Sequence, residues 1–452
     1  MSRLAWFTPL PPARSGIAAY SAELLPRLLP EHDIDVFVDQ PAPGGLSAHD
    51  FIWKNLRDPY DLVVYQLGNA ACHDYLWPYL ARYPGLVVLH DGQLHHSRAR
   101  ALLTRQRADD YREEFRFSHP DAPVEIADLV IATLAGSLYY LWPMLGVAVR
   151  SARCVAVHAP RLAEQLRTEF PGAAIETIRM GVSDPRLPGT DSLSRMSAAD
   201  VRARHNIPGD AMVFAAFGGV TPEKRISQTL RALAAISPYA PHAALMLVGD
   251  TADYYDVRAA ARRVGVTGRI RVTGYVADED LAAYVDAADV CVCLRWPTTR
   301  ETSASWLRCL AAGRPTIITD LTHNDEVASL DPRTWTTLPA AVAPGSLPPG
   351  EAEPAVCVSV DLLDEEHSLA LAMRRLELDN DLRAELGQCA RAWWARTHTL
   401  DVMVSDYRRV LAQALKRPLP APVVLPAHFR ADGTELARQV TAELGVTVDF
   451  LA

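Results

Sequence analysis

The sequence lacks the markers of several common protein classes. Of its 452 residues, 45 are Lys or Arg and 54 are Asp or Glu, which gives a formal net charge of −9. Without a basic excess, the chain is a poor partner for nucleic acid, or for an anionic membrane that binds by charge alone. The Walker spacing is absent, and no Gly-x-Gly-x-x-Gly follows the first predicted strand. These absences argue against a P-loop protein and against a dinucleotide-dependent oxidoreductase.

The seven cysteines show no spacing typical of disulfides or zinc sites. Their number is odd, and no set of four suits zinc. Cys291 and Cys293 lie two apart in an apolar run, so they are predicted to be small buried residues on one side of a strand. The N-terminal residues lack the apolar core of a signal peptide. We therefore expect a cytoplasmic protein, with the inner face of the membrane as the alternative location.

One long uncharged segment requires separate treatment. The 21 residues Leu129–Val149 carry no charge, and a helix of that length can span a bilayer. The segment contains Gly136, Pro143 and Gly146, and its flanking charges are balanced. These features favour a buried helix and loop. A surface that faces a membrane or an apolar acceptor is the second interpretation, and a membrane-spanning helix is the third.

Short apolar runs alternate with helical patterns twice along the chain. This alternation predicts parallel α/β sheets, and runs that are apolar throughout suit strands buried on both faces. A stretch rich in Pro, Gly, Ser and Asp separates the two patterns, and one long last helix is predicted over Leu382–Leu415. The predicted organisation is an N-terminal Rossmann-like domain over 1–182, a linker over 183–208, a second Rossmann-like domain over 209–381, helices over 382–416 that return to the first domain, and a proline-rich tail with a short helix over 417–452.

Ligands of open parallel sheets bind beyond the carboxyl ends of the strands. His90 and Asp91 directly follow a predicted strand there, and an acid/base or sugar-binding role is the favoured interpretation. A hydrogen-bonded structural histidine is the alternative. With His95 and His96 the group also invites a metal interpretation, but two adjacent histidines do not both face one ion comfortably, and no metal is expected.

Two loops with glycine are candidates for phosphate binding. Gly16 opens the first predicted helix, and Gly218 and Gly219 follow a strand just before Lys224 and Arg225. Glycine permits close approach to the backbone, and free N–H groups at a helix start favour anions. The two cations can neutralise a diphosphate. An ordinary turn and a solvated charge pair are the alternatives.

A further loop precedes the predicted helix Thr302–Ala312. Glu301, Thr302, Ser303 and Ser305 lie at its start, where such side chains cap a helix. The same N–H groups can hold a phosphate, and Glu301 can accept hydrogen bonds from sugar hydroxyls. Both interpretations stay open on the residues alone.

At this loop the sequence resembles glycosyltransferase family 4, a group of GT-B enzymes that retain anomeric configuration. The likeness covers about residues 3–415, and the order and spacing of its motifs make it specific. The matching motifs are Ser15–Tyr20, His90-Asp91, Met180-Gly181-Val182, Pro222–Arg225, Thr273-Gly274-Tyr275, and Glu301 through Gly313-Arg314-Pro315.

The resemblance implies a GT-B fold: two Rossmann-like domains that face each other across a cleft, with a C-terminal helix crossing back to the first domain. It implies sugar transfer with retention from a nucleotide-sugar, a UDP- or GDP-sugar, without metal or other cofactor. The acceptor is expected to be a saccharide, a small molecule or a lipid-linked glycan, with peripheral membrane contact as an option. A catalytically weakened nucleotide-sugar-binding or scaffold protein is the alternative.

The resemblance also assigns roles to residues. It places Gly16 and Lys224 at the donor diphosphate, Glu301 at the donor sugar, His90 near the reacting sugar, and Gly274 and Tyr275 at the nucleobase. Two positions depart from the family pattern: Arg308 stands where the family has a ribose-binding Glu, and Gly219 stands where it has an arginine. Arg225 is expected to supply the missing charge.

Overall fold

The structure, a computed structural model, describes residues 1–134, 136–186, 196–300, 302–324, 326–340, 353–431 and 434–446. The chain divides into two compact units. Unit 1 contains residues 1–158, 162–177 and 408–452, and unit 2 contains residues 159–161 and 178–407.

The described strands of unit 1 form a seven-stranded parallel sheet in the order β3-β2-β1-β4-β5-β6-β7. The strand order reverses between β1 and β4, which is the arrangement of a doubly wound α/β sheet. The elements before the linker are β1 (Ser2–Phe7), α1 (Gly16–Leu28), β2 (His32–Val38), β3 (Leu46–Ser47), α2 (Asp50–Arg57), β4 (Leu62–Leu67), α3 (Leu76–Arg82), β5 (Leu86–Leu89), α4 (His95–Leu103), α5 (Ala108–Ser118), α6 (Glu125–Ile131), α7 (Gly146–Ser151), β6 (Cys154–Val157), α8 (Pro160–Glu169) and β7 (Ile175–Thr177).

Unit 2 repeats this plan with eight described strands in the order β10-β9-β8-β11-β12-β15-β13-β14, parallel except for the β13–β14 pair. Its order reverses between β8 and β11. The remaining elements are α9 (Ala198–Arg204), β8 (Val213–Phe217), α10 (Ile226–Ile236), β9 (Ala244–Val248), α11 (Val257–Arg263), β10 (Ile270–Val272), α12 (Asp278–Ala287), β11 (Val290–Cys293), α13 (Ala304–Ala311), β12 (Thr316–Thr319), β13 (Ser329–Leu330), β14 (Thr337–Leu338), β15 (Cys357–Val360), α14 (Glu365–Leu378), α15 (Asn380–Thr397), α16 (Leu400–Lys416), α17 (Ala427–Arg430) and α18 (Thr434–Glu443).

Strand β8 shows why its sequence is apolar throughout. Val213 and Ala215 are buried against the face that carries α9 and α12. Phe214 and Ala216 are buried against the opposite face, which carries α10 and α14. Because helices cover both faces of the sheet, every side chain of the strand is removed from water.

The structure has two helices where the sequence predicts the single helix Leu382–Leu415. Helix α15 ends at Thr397 and α16 begins at Leu400. Between them, the His398 carbonyl accepts a hydrogen bond from the Val182 N–H at 3.1 Å, and Thr399 forms a parallel bridge with Val182. The backbone leaves the helix to make these contacts. Within α16, residues up to Tyr407 belong to unit 2 and the rest to unit 1.

The uncharged segment Leu129–Val149 is not one helix. Helix α6 ends at Ile131 and α7 begins at Gly146. Val130 is buried, whereas Leu134 is 70% exposed. None of the helices in the described ranges combines the length and the apolar character needed to cross a membrane.

Candidate functional site

A pocket lies in unit 2 at the carboxyl ends of β8, β11 and β12, where the strand order reverses. It is the position at which doubly wound sheets bind ligands. Its lining includes Phe217, Lys224, Cys293, Ser303, Ser305 and Thr319. The structure therefore brings together three of the predicted donor-binding residues, Lys224, Ser303 and Ser305.

Three glycines follow three neighbouring strands at this edge of the sheet. Gly218, Gly249 and Gly274 follow β8, β9 and β10, and all have positive φ values of 86°, 146° and 73°. A Cβ atom at Gly249 would lie 2.4 Å from the carbonyl oxygen of Gly218. Glycine is required there because the two loop backbones approach so closely. A Cβ atom at Gly219, in contrast, would make only ordinary contacts, with Thr221 Cγ2 at 3.8 Å and the Asp250 carbonyl oxygen at 3.9 Å.

Lys224 lies directly over the first of these glycines. Its ammonium group donates a hydrogen bond to the carbonyl oxygen of Phe217. A Cβ atom at Gly218 would come within 2.8 Å of Lys224 Nζ and 3.7 Å of Ser305 Oγ. The pocket thus has a positive charge, a hydroxyl group and a bare backbone within reach of one another. This combination suits a phosphate group.

The start of α13 forms another wall of the pocket. Ser303 is its N-cap, and Ser303 Oγ accepts a hydrogen bond from the Trp306 N–H at 3.3 Å. Because α13 begins at Ala304, the predicted start at Thr302 is two residues early. Thr302 lies just before the cap and is partly buried. The predicted catalytic residue Glu301 lies outside the described residues.

Arg225 is placed differently from the prediction. Its guanidinium donates to both carboxylate oxygens of Glu365, which is 6% exposed. Arg225 is not among the residues that line the pocket. Sequence analysis assigned this cation to the diphosphate because Glu365 is distant in the sequence. The ion pair instead fastens the start of α10 to the start of α14.

The segment predicted to meet a nucleobase follows β10. The Tyr275 N–H donates to Asp250 Oδ1 at 2.8 Å, which fixes the turn at Gly274, and Tyr275 is 47% exposed. Arg308, which the resemblance aligns with an acidic residue, lies 3.7 Å from Asp278 at the start of α12. Asp278 therefore supplies a carboxylate near this turn, from α12 and not from α13, which carries Arg308.

In unit 1, His90 lies in a chain of buried polar side chains. Its Nε2 is 2.8 Å from Gln66 Oε1, and its Nδ1 is 3.1 Å from His158 Nε2. Because an amide oxygen only accepts, His90 Nε2 carries the proton and Nδ1 accepts from His158. Burial, with the charges of His158 and His73, holds the pKa of His90 well below its usual value. The geometry therefore favours the hydrogen-bonded alternative over an acid/base role.

The other predicted residues of unit 1 are separate from this chain. Asp91 Oδ2 accepts from the Asn69 N–H at 2.9 Å. Gly16 is exposed, with nothing within 4 Å of an added Cβ atom, and the preceding Ser15 caps α1. The histidines do not converge on one point, because His95 Nε2 lies 2.5 Å from Tyr111 Oη and the His96 ring stacks on Tyr139.

Sequence analysis missed His73, which lies beside His90. His73 Nδ1 donates to the Gln66 carbonyl at 2.9 Å, so its Nε2 is left as an acceptor. Within the described chain, Nε2 has no hydrogen-bond partner. Burial lowers the pKa of His73 to about 4, so the ring is neutral and its Nε2 can accept a hydrogen bond. A lone histidine in a short turn carries no sequence signal that would reveal this.

Comparisons with solved structures define the class of fold. Sucrose-phosphate synthase from Thermosynechococcus elongatus matches with a TM-score of 0.57 at 16% identity, over 91% of this chain and 99% of that chain. HepE of Anabaena, solved with UDP and glucose, matches with a TM-score of 0.58 at 14% identity, over 91% of this chain and all of that chain. WaaG, a glycosyltransferase of lipopolysaccharide biosynthesis, matches with a TM-score of 0.56 at 11% identity, over 92% of this chain and all of that chain. The chain has a GT-B fold.

The sequence comparison is more local. Residues 211–343 match the family model described as glycosyl transferases group 1. These residues run from the start of β8 past β14 and include the pocket with Lys224. No curated protein sequence is significantly similar to this chain.

Proposed function

We propose that the protein is a glycosyltransferase that takes a sugar from a nucleotide-sugar held in the unit 2 pocket. The observation that carries this proposal is the Lys224 ammonium over Gly218, within the segment that matches the glycosyltransferase model. Breaking the bond to a nucleoside diphosphate leaves negative charge on the leaving group, and a fixed cation stabilises that charge. HepE, which has the same fold, was solved with UDP and with UDP-glucose, so UDP-sugars are the first donors to test.

The finer proposal is a family 4-like enzyme that works with retention and without metal. Lys224, together with the N–H groups and hydroxyls at the start of α13, would take the place of the metal ion at the diphosphate. The sugar would pass through an oxocarbenium-like state. The role of Glu301 at the donor sugar rests on the resemblance alone. In this proposal Lys224 and not Arg225 contacts the diphosphate, since the Arg225 guanidinium binds Glu365.

The proposed acceptor is a saccharide, a small molecule or a lipid-linked glycan. The exposed leucines of the segment Leu129–Val149, Leu134 and Leu141, would suit an apolar acceptor or peripheral contact with a membrane. A cytoplasmic location is part of the same proposal.

The first test is a thermal-shift screen with UDP, GDP, ADP and their common sugars, with and without EDTA. A ligand that binds the folded state raises its melting temperature, so one nucleotide family should do so in both buffers. Each shift is measured against a ligand-free sample in the same buffer, which cancels any effect of EDTA on the protein itself. Lys224→Ala should weaken binding by about 10- to 100-fold, because it removes a charged contact worth about 1.5–3 kcal/mol.

The matched control is Lys416→Ala, an exposed lysine in the last turn of α16, which should leave the shift unchanged. Absence of a shift with every nucleotide would contradict the donor-site assignment. Binding without release of nucleoside diphosphate in a turnover assay would favour the alternative, a weakened nucleotide-sugar-binding protein. The replacement of the family's acidic residue by Arg308 is the observation behind that alternative.

A further inference from the structure

Helix α17 brings a histidine of the C-terminal segment against two carboxylates of α5. Asp110 and Glu113 are three residues apart and therefore share one face of α5. His428 Nδ1 lies 3.7 Å from Asp110 Oδ1, and one ligand atom from each of the three residues lies within 4.8 Å of the others. Of the His, Cys, Asp and Glu residues that the structure describes, only these three converge so closely. We call this group the α5–α17 site.

The buried imidazole of His428 has one nitrogen without a partner. The side chain is 6% exposed, and its Nδ1 makes no hydrogen bond to any residue that the structure describes. His428 Nε2 lies 3.2 Å from Glu114 Oε2. Because a carboxylate only accepts, His428 donates this bond from Nε2, and Nδ1 is the nitrogen left for another contact. Nδ1 lies opposite two carboxylates, a donor set that can hold a cation once Nδ1 carries no proton.

The spacing of the atoms suits metal ligands better than a direct hydrogen bond. A separation of 3.7 Å between His428 Nδ1 and Asp110 Oδ1 exceeds the normal hydrogen-bond range. Two ligand atoms, each about 2.1 Å from one tetrahedral ion, lie about 3.4 Å from each other. The observed distance is close to this value, so a small movement of the side chains would let both atoms bind a single small cation.

The surrounding contacts orient all three side chains. Glu114, which accepts from His428, is fully buried and receives hydrogen bonds from Arg98 at 2.6 and 2.8 Å. A histidine whose other nitrogen donates to a carboxylate is the usual arrangement of a metal ligand.

The two carboxylates are held in a similar way. Arg107 Nε binds Asp110 Oδ2 at 2.6 Å, which leaves Oδ1 to face His428. The Ala427 N–H donates to Glu113 Oε1 at 3.0 Å, and Glu113 has no cationic partner among the described residues. The carboxylate of Glu113 is therefore available to a bound cation.

We propose that Asp110, Glu113 and His428 bind a divalent transition-metal ion of the zinc type, which fastens the C-terminal segment to α5. An imidazole nitrogen together with carboxylate oxygens favours such ions over Mg²⁺ and Ca²⁺, which prefer oxygen ligands alone. The ion holds the tail and takes no part in sugar transfer, so the site is independent of the proposed function.

The test is titration calorimetry of ZnCl₂ into the full-length protein after EDTA treatment and buffer exchange. We expect one Zn²⁺ per chain at this site. His428→Gln keeps an N–H group that can reach Glu114 but removes the Nδ1 ligand. It should weaken Zn²⁺ binding on the order of 100-fold, the upper end of the range for loss of an outer-shell partner. Glu113→Gln keeps an acceptor for the Ala427 N–H and should also weaken binding. His367→Gln, an exposed histidine of α14, is the matched control and should bind as the wild type does.

A second measurement covers the case in which a variant folds poorly. Zn²⁺ should slow tryptic cleavage after Arg430, the last residue of α17, in the wild-type protein but not in Glu113→Gln, which replaces a single carboxylate oxygen by an amide nitrogen. The proposal is overturned if the wild type does not bind Zn²⁺, or if both ligand variants bind it as tightly as the control. Equal affinity for Mg²⁺ and Zn²⁺ would also overturn it, because the histidine would then contribute nothing.

Discussion

Replacing Arg98 by Met should destabilise unit 1 severely, because it leaves Glu114 buried without its counter-charge. Arg98 is 4% exposed and Glu114 is fully buried, and two hydrogen bonds join them. Removal of one partner from such a pair typically costs about 3–5 kcal/mol. Arg98 also lies over the Trp77 ring, 4.1 Å from its centroid, and Met retains part of that contact. We therefore expect a loss of about 3–5 kcal/mol.

The same substitution should reverse the pH dependence of stability. Burial alone raises the pKa of Glu114, but the charge and hydrogen bonds of Arg98 and His428 outweigh it, so the pKa lies below 4.5. In the wild type, Glu114 therefore stabilises the fold above pH 4.5, and this contribution is lost as the pH falls through the lowered pKa. Without Arg98, burial should raise the pKa of Glu114 above 4.5. The variant should then lose stability as the pH rises above 4.5.

The assay is urea unfolding followed by tryptophan fluorescence between pH 4.5 and 7, in EDTA so that metal binding does not contribute. Arg98→Met with Glu114→Gln should recover much of the loss, because the uncompensated charge is gone. The control is Arg112→Met. Arg112 lies on α5, as Glu114 does, and its ion-pair partners Asp109 and Asp128 are exposed, so this variant should show no measurable change in stability. A loss below about 1 kcal/mol for Arg98→Met, or an unchanged pH profile, would refute the reasoning.

Two further predictions concern the unit 2 pocket. Gly249→Ala should lower the free energy of unfolding by about 2–4 kcal/mol, as measured by thermal unfolding. The reason is that its Cβ atom would lie 2.4 Å from the Gly218 carbonyl oxygen at a φ of 146°. Gly209 has open space around it, so Gly209→Ala should be nearly neutral. Arg225→Met should lower stability by about 3 kcal/mol, since Glu365 would lose its partner in a site that is only 6% exposed, yet it should keep the nucleotide-induced thermal shift. Loss of that shift with unchanged stability would instead return Arg225 to the donor site.

Local patterns were sufficient to predict the buried strands and an amphipathic helix. The apolar runs Leu86–Leu89, Val213–Phe217, Ala244–Val248 and Thr316–Thr319 predict strands, the periodicity of Ile226–Ile236 predicts a helix, and the structure has all five with these bounds. The burial of these elements depends on the spacing of apolar residues within each segment, so the pattern of neighbouring residues was enough to predict them. The two α/β patterns along the chain likewise predicted the GT-B fold that the structural comparisons show.

Features that depend on a distant partner were not predictable in this way. The break between α15 and α16 exists because the His398 carbonyl pairs with the Val182 N–H, and nothing near His398 in the sequence marks it. Arg225 was assigned to the donor diphosphate because its partner, Glu365, lies 140 residues later in the sequence.

The sequence by itself determined the alternation of strands and helices in both α/β patterns, and it determined that Lys224, Ser303 and Ser305 follow strands of a parallel sheet. Parallel strands place their carboxyl ends at one edge, so residue order alone was enough to bring these three together. Only the tertiary structure decided the state of each polar side chain. Whether His90 is a catalyst or a link in a buried hydrogen-bond chain, and whether His428 faces solvent or two carboxylates, depends on charges and hydrogen-bond partners that arrive from other elements.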